Sequence, residues 1–267
     1  MTTDEYVRNQ WNLFAEIWSK DIENDGNRNY ILSPARKKIV GDIQGLQVLD
    51  LACGEGYFSR LLASAGANVT GVDISKNMIQ AARRKETASP MGILYHVMDA
   101  SDLELESSQL DMVHCSMALM DIIDNEQAIS EVSRILKDRG RFIFSLVHPC
   151  FFSSRTLDGK PMCQTERIDQ KNGTRKYPYM KIYDYHTRHT VSTNWMKDGK
   201  PHLPSPLVNF HRTLSDYVNA LGRYGLYITR MDEPIPTEEG IRVFNDKKDI
   251  RIPNFIIIEA IKTARAF

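Results

Sequence analysis

The stretch LDLACGEGYFSRLLASAGANVTGVDIS, residues 49–75, decides the fold of this chain. It contains an apolar run, a turn with two glycines, a helical pattern and a second apolar run that ends near Asp73. Two apolar runs joined by one helix predict a βαβ unit, in which both strands run in the same direction. Because parallel strands end at the same edge of a sheet, we expect the glycine turn and the Asp73 carboxylate to face one ligand.

The composition is that of an ordinary globular protein. The chain has 267 residues, of which 42% are hydrophobic and 25% charged, and this length suits one large domain or one domain with an insertion. Lys and Arg number 34, as do Asp and Glu, so the zero net charge offers no field for a polyanion such as nucleic acid. Four scattered cysteines and the lack of a signal-like or membrane-length apolar segment favour a cytoplasmic protein without a membrane partner.

Helical and strand patterns alternate along most of the chain. The predicted helices cover residues 4–20, a short segment after Pro34, and residues 57–65, 76–86, 125–137 and 213–222. The predicted strands cover residues 46–53, 68–74, 93–100, 110–119, 141–148, 226–233 and 254–262, with a turn at 138–140. Strands separated by helices predict an α/β fold, a doubly wound and mostly parallel seven-stranded sheet of the Rossmann-like type.

Residues 149–211 interrupt this alternation. They contain turn signals and one run of tyrosines on a single parity, which together predict antiparallel hairpins. The signals are Asp158-Gly159, Asn172-Gly173 and Asp198-Gly199, with Tyr177, Tyr179, Tyr183 and Tyr185. We therefore divide the chain into four segments: an N-terminal helical cover (1–44), the cofactor-binding half of the α/β domain (45–148), a β-rich cap insertion over the substrate site (149–211), and the completion of the domain (212–267).

The glycine turn also indicates the kind of ligand. Without a Cβ, Gly54 and Gly56 let the backbone approach a ligand, and Asp73 stands where a carboxylate accepts hydrogen bonds from a ribose diol. Ser59 replaces the third glycine of a dinucleotide fingerprint, which disfavours a dehydrogenase. The nearby acid Glu55 disfavours a pyrophosphate and favours a ligand with an ammonium group. S-adenosylmethionine has a ribose, an adenine and an amino group but no phosphate, so it fits these residues.

The same motifs resemble those of the class I S-adenosylmethionine-dependent methyltransferases. VLDLACGEG resembles their first motif, GVDIS the second, VMDA the third and HCSMAL the end of their fourth strand. The resemblance covers about residues 45–148 and implies methyl transfer from S-adenosylmethionine, which leaves S-adenosylhomocysteine. One departure is the long stretch 234–253 between the last two strands, where family members have a tighter hairpin.

The resemblance also implies a set of cofactor-binding residues. Asp73 would bind the ribose, Asp99 the adenine amino group, and Ser116 and Met117 the methionine part. Tyr6 lies on the N-terminal helix, which often covers the cofactor in this family, although plain packing explains it equally well. The full expected set is Asp50, Ala52, Cys53, Gly54, Gly56, Asp73, Ile74, Met78, Asp99, Ala100, Ser116, Met117 and Tyr6.

Methyl transfer is an in-line displacement that needs a base only when the acceptor must lose a proton. His148, at the end of the fifth strand, is the predicted catalytic residue, and its alternative role is to cap backbone groups. His114 lies inside a strand, where a core role is expected, and Asp124 is placed to cap the helix that begins at residue 125. The predicted substrate-binding residues are Asp121, Tyr179, His211 and Arg212, and no metal site is expected.

The insertion is the expected determinant of the acceptor. Residues 151–212 contain 11 Lys and Arg against 5 Asp and Glu, a net charge of +6. A basic and aromatic cap suits a small aromatic or anionic metabolite, whereas a solvated hairpin face would explain the same residues. A nucleic-acid methyltransferase is the alternative function, although no [ND]-P-P-[YF] motif follows the fourth strand, and a non-catalytic cofactor-binding protein is the third. The atom that is methylated and the oligomeric state stay open.

Overall fold

The computed structural model describes residues 3–165, 168–169, 175–176, 180–197, 200–244 and 251–263. In that part of the chain, the helices before the insertion are α1 (Thr3–Asp21), α2 (Ser33–Val40), α3 (Tyr57–Ser64), α4 (Lys76–Ala88) and α5 (Asn125–Ile135). A 3-10 turn (Ile22–Asn24) and a π-helical turn (Arg28–Leu32) connect α1 to α2. The last helices are α6 (Leu214–Arg223) and α7 (Glu238–Phe244).

The strands before the insertion are β1 (Gln47–Leu51), β2 (Asn68–Asp73), β3 (Leu94–Val97), β4 (Leu110–Ser116) and β5 (Leu136–Val147). The insertion contributes β6 (Ser154–Thr156), β7 (Pro161–Thr165), β8 (Ile168–Asp169), β9 (Arg175–Lys176), β10 (Met180–Ile182), β11 (Thr190–Thr193), β12 (Met196–Lys197), β13 (Lys200–Pro201) and β14 (Leu207–Phe210). The chain continues with β15 (Leu226–Asp232) and β16 (Phe255–Lys262).

The central sheet has seven strands in the order β15-β16-β5-β4-β1-β2-β3. The five strands from β1 to β5 are parallel, and β15 and β16 pair antiparallel beside β5. This confirms the predicted α/β class and the mostly parallel seven-stranded sheet. Two buried clusters cover its faces, one with α5 and α6 and the other with α2, α3 and α4. The order changes direction at β1 and β4, and an open parallel sheet binds its ligands at such a point.

The insertion builds a second, antiparallel sheet in the order β10-β7-β6-β11-β14. Asp158-Gly159 forms the turn between β6 and β7, where Gly159 has a φ of 84° that glycine adopts without strain. The pairs β8–β9 and β12–β13 are also antiparallel. The predicted turns at Asn172-Gly173 and Asp198-Gly199, and the residues Tyr177 and Tyr179, lie outside the described residues.

Two predicted connections differ from the structure. Residues 138–140 do not form a free turn, because β5 begins at Leu136 and bulges there before its pairing with β4 resumes at Arg141. Arg139 takes a φ of 61° within this bulge. Part of the long stretch 234–253 forms α7, which packs on the π-helical turn through an edge contact between Phe244 and Tyr30. No helix among the described residues is long and apolar enough to cross a membrane.

Candidate active site

A cavity of about 490 Å³ lies at the carboxyl ends of β1, β2 and β4. Its volume falls in the range of small-molecule sites. The loops after these strands form its floor, the N-terminal segment forms one wall, and the insertion residues 193–196, Leu207 and Asn209 form another. The cavity therefore joins the strand ends with the two segments expected to cover them.

The glycine turn after β1 and the acid at the end of β2 are linked directly. The backbone N–H of Gly54 donates to Oδ2 of Asp73 at 2.9 Å, and the N–H of Ser75 donates to Oδ1 at 2.8 Å. Gly54 has a φ of 57° and open space where a Cβ would stand, whereas a Cβ on Gly56 would lie 2.3 Å from the Tyr95 hydroxyl oxygen. Gly54 lines the cavity, and Gly56 serves the packing of the turn.

Asp73 is buried and lines the cavity. Burial raises its pKa to about 6, against the lowering effect of the two backbone N–H groups that it accepts. A carboxylate offers about four lone-pair positions, so two of them stay available beyond these backbone bonds. That is the requirement for a group that accepts a hydrogen bond from each hydroxyl of a diol.

Most of the other predicted cofactor residues also line this cavity. They are Asp50, Ala52, Cys53, Ile74, Met78, Asp99, Ala100, Ser116 and Met117. Ala52 and Met117 have φ values of 54° and 56°, and such strain in residues other than glycine is typical of functional sites. The buried hydroxyl oxygen of Ser116 has no hydrogen-bond partner within the described chain. An orphaned buried hydroxyl on a cavity wall is suited to a ligand.

Arg28 lines the same cavity and was not found by sequence reasoning. Its guanidinium stacks over the rings of Tyr57 and Phe58, at 4.5 and 5.1 Å from their centroids, and lies 3.9 Å from Glu55. Desolvation lowers the pKa of this arginine, with Glu55 opposing the effect. The π-helical turn that begins at Arg28 places it here, and neither its position nor its stacking has a local sequence signal.

Glu55 is buried and neutralised by cations from three parts of the chain. Its Oε2 accepts from Arg60 at 3.0 Å and from Lys85 at 2.7 Å, and Lys85 also binds Glu23 at 2.7 Å. These contacts tie the N-terminal segment to α3 and α4 beside the glycine turn. Glu55 therefore holds the wall of the cavity together, and its charge is compensated within the protein.

A buried polar chain lies behind the first strand. Oδ1 of Asp50 accepts from Nδ1 of His114 at 2.7 Å, and Nη1 of Arg36 donates to Nε2 of His114 at 2.6 Å. Nη2 of Arg36 donates to Ser145 at 2.6 Å, and Ser59 donates to Oδ2 of Asp50 at 2.6 Å. Burial and the positive Arg36 lower the pKa of His114, so its imidazole is neutral. His114 is thus a satisfied core residue that orients Asp50.

One part of the lining is apolar except for a polar row. Its apolar walls include Met120, Ile122, Val147, Phe152, Leu207 and Phe255. Nδ2 of Asn209 donates to Oδ1 of Asp121, and the Thr193 hydroxyl donates to Oδ1 of Asn209 at 3.4 Å. All three side chains belong to the cavity lining. Burial raises the pKa of Asp121 to about 7, while Asn209 and Arg212 act in the opposite direction.

His148 does not line this cavity. It is 2% exposed and faces a small neighbouring cavity of about 40 Å³. Its Nδ1 accepts the N–H of Cys150 at 3.2 Å, so the ring proton lies on Nε2, which donates to Glu233 at 2.8 Å. The turn at residues 148–152 is closed by the N–H groups of Phe151 and Phe152, which donate to the carbonyl of His148. In this structure the side chain holds that turn and does not face the acceptor space.

His211 and Arg212 also lie outside the main cavity. Nε2 of His211 lies 2.9 Å from the carbonyl of Tyr185. Nη2 of Arg212 donates to the carbonyls of Ile122 and Ile123 at 2.7 and 2.5 Å. The guanidinium is thus occupied by the loop after β4, and Arg212 positions that loop instead of reaching the cavity.

The N-terminal cover reaches the cavity through residues other than Tyr6. Tyr6 is 42% exposed and outside the lining, whereas Val7, Trp11 and Trp18 line it. Trp18 packs against Trp195 of the insertion, with ring centroids 4.8 Å apart. The helical rotation of about 100° per residue turns position 6 outward and position 7 inward. Tyr179, a predicted substrate-binding residue, lies outside the described residues.

The cavity is acidic, although the insertion is basic. Arg28 is the single cation in the described lining, against seven acids: Asp25, Asp50, Glu55, Asp73, Asp99, Asp121 and Asp124. Insertion cations such as Lys160 and Arg188 have exposed side chains. The described residues contain no cluster of three or more side chains suited to a metal ion. Arg60 and Lys85 compensate Glu55, but the remaining acids still outnumber Arg28, so the lining favours a neutral or positively charged ligand.

Comparison with known proteins places this site in a family. Residues 49–144 match the family model described as a methyltransferase domain. The chain is 30% identical over 125 residues to a ubiquinone biosynthesis O-methyltransferase of Coxiella burnetii, a match that covers 46% of this chain and 53% of that enzyme. The chain thus spans about half the length of such curated relatives. An uncharacterised protein of Haemophilus influenzae is 26% identical over 94% of this chain and 95% of its own length.

The whole fold has a solved counterpart. A crystal structure of an S-adenosylmethionine-dependent methyltransferase from Mesorhizobium loti matches with a TM-score of 0.69 and 27% identity, over 90% of this chain and 99% of that one. The likeness therefore extends beyond the strand ends to the insertion and the final strands. Apart from Val48 at the start of the first motif, the motifs quoted from the sequence lie inside the region matched by the family model.

Proposed function

We propose that this chain, which belongs to the class I S-adenosylmethionine-dependent methyltransferases, transfers a methyl group to a small aromatic metabolite held beneath the insertion. The single observation that carries the proposal is the cavity itself. It joins the ribose-binding arrangement of Gly54 and Asp73 to an apolar chamber lined by Met120, Phe152 and Phe255. One ligand at each end would bring a methyl donor and its acceptor together.

The residues present fit S-adenosylmethionine. Asp73 would bind the ribose hydroxyls, and the orphaned hydroxyl of Ser116 would contact the methionine part. Arg28, held by its stacking on Tyr57, would bind the carboxylate, and Asp50, held by His114, would face the ammonium group. S-adenosylmethionine supplies an electrophilic methyl group on a positively charged sulfur, and the acids of the lining suit that charge.

The chain's own contribution is mainly positioning and exclusion of water. Displacement at a methyl carbon needs the two reactants in line and close, and such alignment is worth several orders of magnitude in rate. The Trp18–Trp195 contact joins the N-terminal and insertion walls of the cavity. His202 of the insertion adds a second contact, with its Nε2 2.7 Å from Oδ2 of Asp21.

An aromatic acceptor agrees better with the lining than an anionic one. The insertion's net charge of +6 suggests an anion, but its exposed cations Lys160 and Arg188 lie outside a cavity that is rich in carboxylates. A carboxylate or phosphate acceptor would meet repulsion there. The name of the Coxiella relative, a ubiquinone biosynthesis O-methyltransferase, supports a small aromatic acceptor over nucleic acid.

The four cysteines form no disulfide, which supports the proposed cytoplasmic location.

Calorimetric titration with S-adenosylhomocysteine, run beside NADH, tests the cofactor half of the proposal. We expect S-adenosylhomocysteine to bind in the micromolar range and NADH not to bind. NADH binding alone would mean that the glycine turn serves a dinucleotide. Labelled methyl transfer to a panel of small aromatic acceptors then tests the second half.

A further inference from the structure

The polar row beside the apolar walls of the cavity indicates which chemical group of the acceptor would bind there. Thr193 donates to Asn209, and Asn209 donates to Asp121, so the row ends on a carboxylate. Asn209 and Asp121 lie on different elements, β14 and the loop after β4, and each brings an apolar neighbour to the same wall. A polar chain that ends on an acid in an apolar chamber is suited to a ligand that offers a hydrogen-bond donor.

Each of the other acids in the lining has hydrogen-bond partners in a turn, a helix cap or the cofactor end. Asp25 accepts the N–H of Arg28, Asp99 accepts from Ser101, and Asp124 caps α5 by accepting the N–H of Gln127. Asp50, Glu55 and Asp73 belong to the cofactor end, where His114, Lys85 and Gly54 bind them. Among the described lining residues no histidine is present. Asp121 is therefore the acid that stands beside the apolar walls of the acceptor chamber.

The structure holds Asp121 firmly in this place. Its backbone N–H donates to the carbonyl of Ala118 at 2.8 Å, and the Phe210 N–H donates to the carbonyl of Met120 at 2.8 Å. Arg212 donates to the two carbonyls that follow Asp121. The loop after β4 is thus fixed to the end of β14 on both sides of the carboxylate. Such preorganisation is what a proton-transfer group requires.

We propose that Asp121 accepts the proton of a hydroxyl group on the methyl acceptor, so that the reaction is an O-methylation of a hydroxylated aromatic ring. This inference rests on the proposed function. The hydroxyl oxygen forms the new bond to the methyl carbon, the carbon–sulfur bond breaks with its electron pair kept by sulfur, and the hydroxyl proton passes to Asp121 and then to solvent. Asn209 is a positioning residue that orients the carboxylate.

A base held beside the acceptor favours a hydroxyl over an amine as the group that is methylated. A neutral amine attacks with its own lone pair and loses its proton after the transfer, whereas a hydroxyl gains most of its nucleophilicity by losing the proton. Burial raises the pKa of Asp121 to about 7, close to the value that suits a base at neutral pH. The groups that act on this carboxyl or are affected by its charge come from several elements. They are Asn209 and Arg212 on the insertion side, Asp73 at the end of β2, Cys115 on β4 and Tyr217 on α6.

The test is calorimetric binding of three small rings to the protein saturated with S-adenosylhomocysteine: catechol, aniline and benzoate. We expect catechol to bind the wild type with an affinity that rises about tenfold as the pH increases from 6 to 8, because Asp121 ionises in that range. Benzoate is expected not to bind. The Asp121→Asn variant should lose the pH dependence and bind catechol about tenfold more weakly at pH 8, with S-adenosylhomocysteine affinity unchanged.

A second variant separates positioning from plain structure. Asn209→Ala removes the donor that favours the charged carboxylate, so the midpoint of the catechol pH dependence should move upward. A purely structural role would lower the affinity equally at every pH. Absence of catechol binding, preference for aniline or benzoate, or an unchanged pH profile in Asp121→Asn would overturn the inference. Failure of the wild type to bind S-adenosylhomocysteine would instead overturn the proposed function.

Discussion

The backbone N–H of Gly54 donates to the carboxylate of Asp73 at 2.9 Å, across the ends of two neighbouring parallel strands. The turn after β1 and the end of β2 are therefore one hydrogen-bonded unit, and Ser75 completes it from the other side. A ligand that contacts this carboxylate binds beside a backbone turn that the carboxylate itself holds in place.

The Asp73→Ala variant should bind S-adenosylhomocysteine more weakly. Loss of the hydrogen bonds to the ribose is expected to cost about 1–3 kcal/mol, or on the order of 10- to 100-fold in affinity. Calorimetry measures this directly. Asp102→Ala, at an exposed aspartate outside the cavity, is the matched control and should bind normally. Equal affinity of wild type and Asp73→Ala would refute the ribose assignment.

The Asp121→Asn variant should be more stable than the wild type at alkaline pH. An acid whose folded pKa is raised from 3.8 to about 7 stabilises the folded state only where it is protonated, so its contribution falls as the pH rises from about 4 to 7. Asparagine removes that loss and still accepts from Asn209. Urea unfolding should show a gain on the order of 1–3 kcal/mol at pH 8 and a smaller one at pH 5. A gain independent of pH would contradict the shifted pKa.

The Arg36→Met variant should be strongly destabilised. It leaves the buried Asp50–His114 pair without the cation that donates to His114, and breaking such a buried network typically costs about 3–5 kcal/mol. Denaturant unfolding measures the loss. Arg84→Met, at an exposed position on α4, serves as the control and should change stability by less than about 0.5 kcal/mol. Similar stabilities for the two variants would mean that Arg36 is dispensable in the core.

The two glycines of the turn should separate binding from stability. Gly54→Ala adds a methyl group toward open cavity space, so it should weaken S-adenosylhomocysteine binding and cost only about 1–2 kcal/mol of left-handed backbone strain. Gly56→Ala adds the same strain and a clash with Tyr95, and it should unfold at a clearly lower urea concentration than Gly54→Ala. The same unfolding midpoint for both variants would contradict this packing role.

The sheet and the cofactor end were predictable because their signals are local. The apolar runs, the glycine turn and the strand-final Asp73 lie within 27 residues, and parallel connection rules bring them to one edge. The acceptor end was less predictable. Asp121 meets Asn209 across 88 residues of sequence, and Trp18 of the N-terminal helix meets Trp195 of the insertion. Neither pair has a spacing that a sequence pattern can reveal.

His148 shows that a correctly predicted position does not predict the orientation of the side chain. Its place at the end of β5 is as expected, yet the orientation of its ring depends on the turn at residues 148–152 and on Glu233, which arrives 85 residues later. A strand end fixes where a side chain begins but not which cavity it faces. The net charge of the insertion does not predict the charge of the acceptor for a related reason. A net charge does not say which face of the insertion its cations occupy.

The tryptophans have a practical consequence. The chain contains three, Trp11, Trp18 and Trp195, and all of them line the main cavity. Nearly all of the protein's long-wavelength ultraviolet emission therefore originates from the walls of one chamber. The protein therefore needs no added label: a ligand that binds in this cavity should change its intrinsic tryptophan fluorescence.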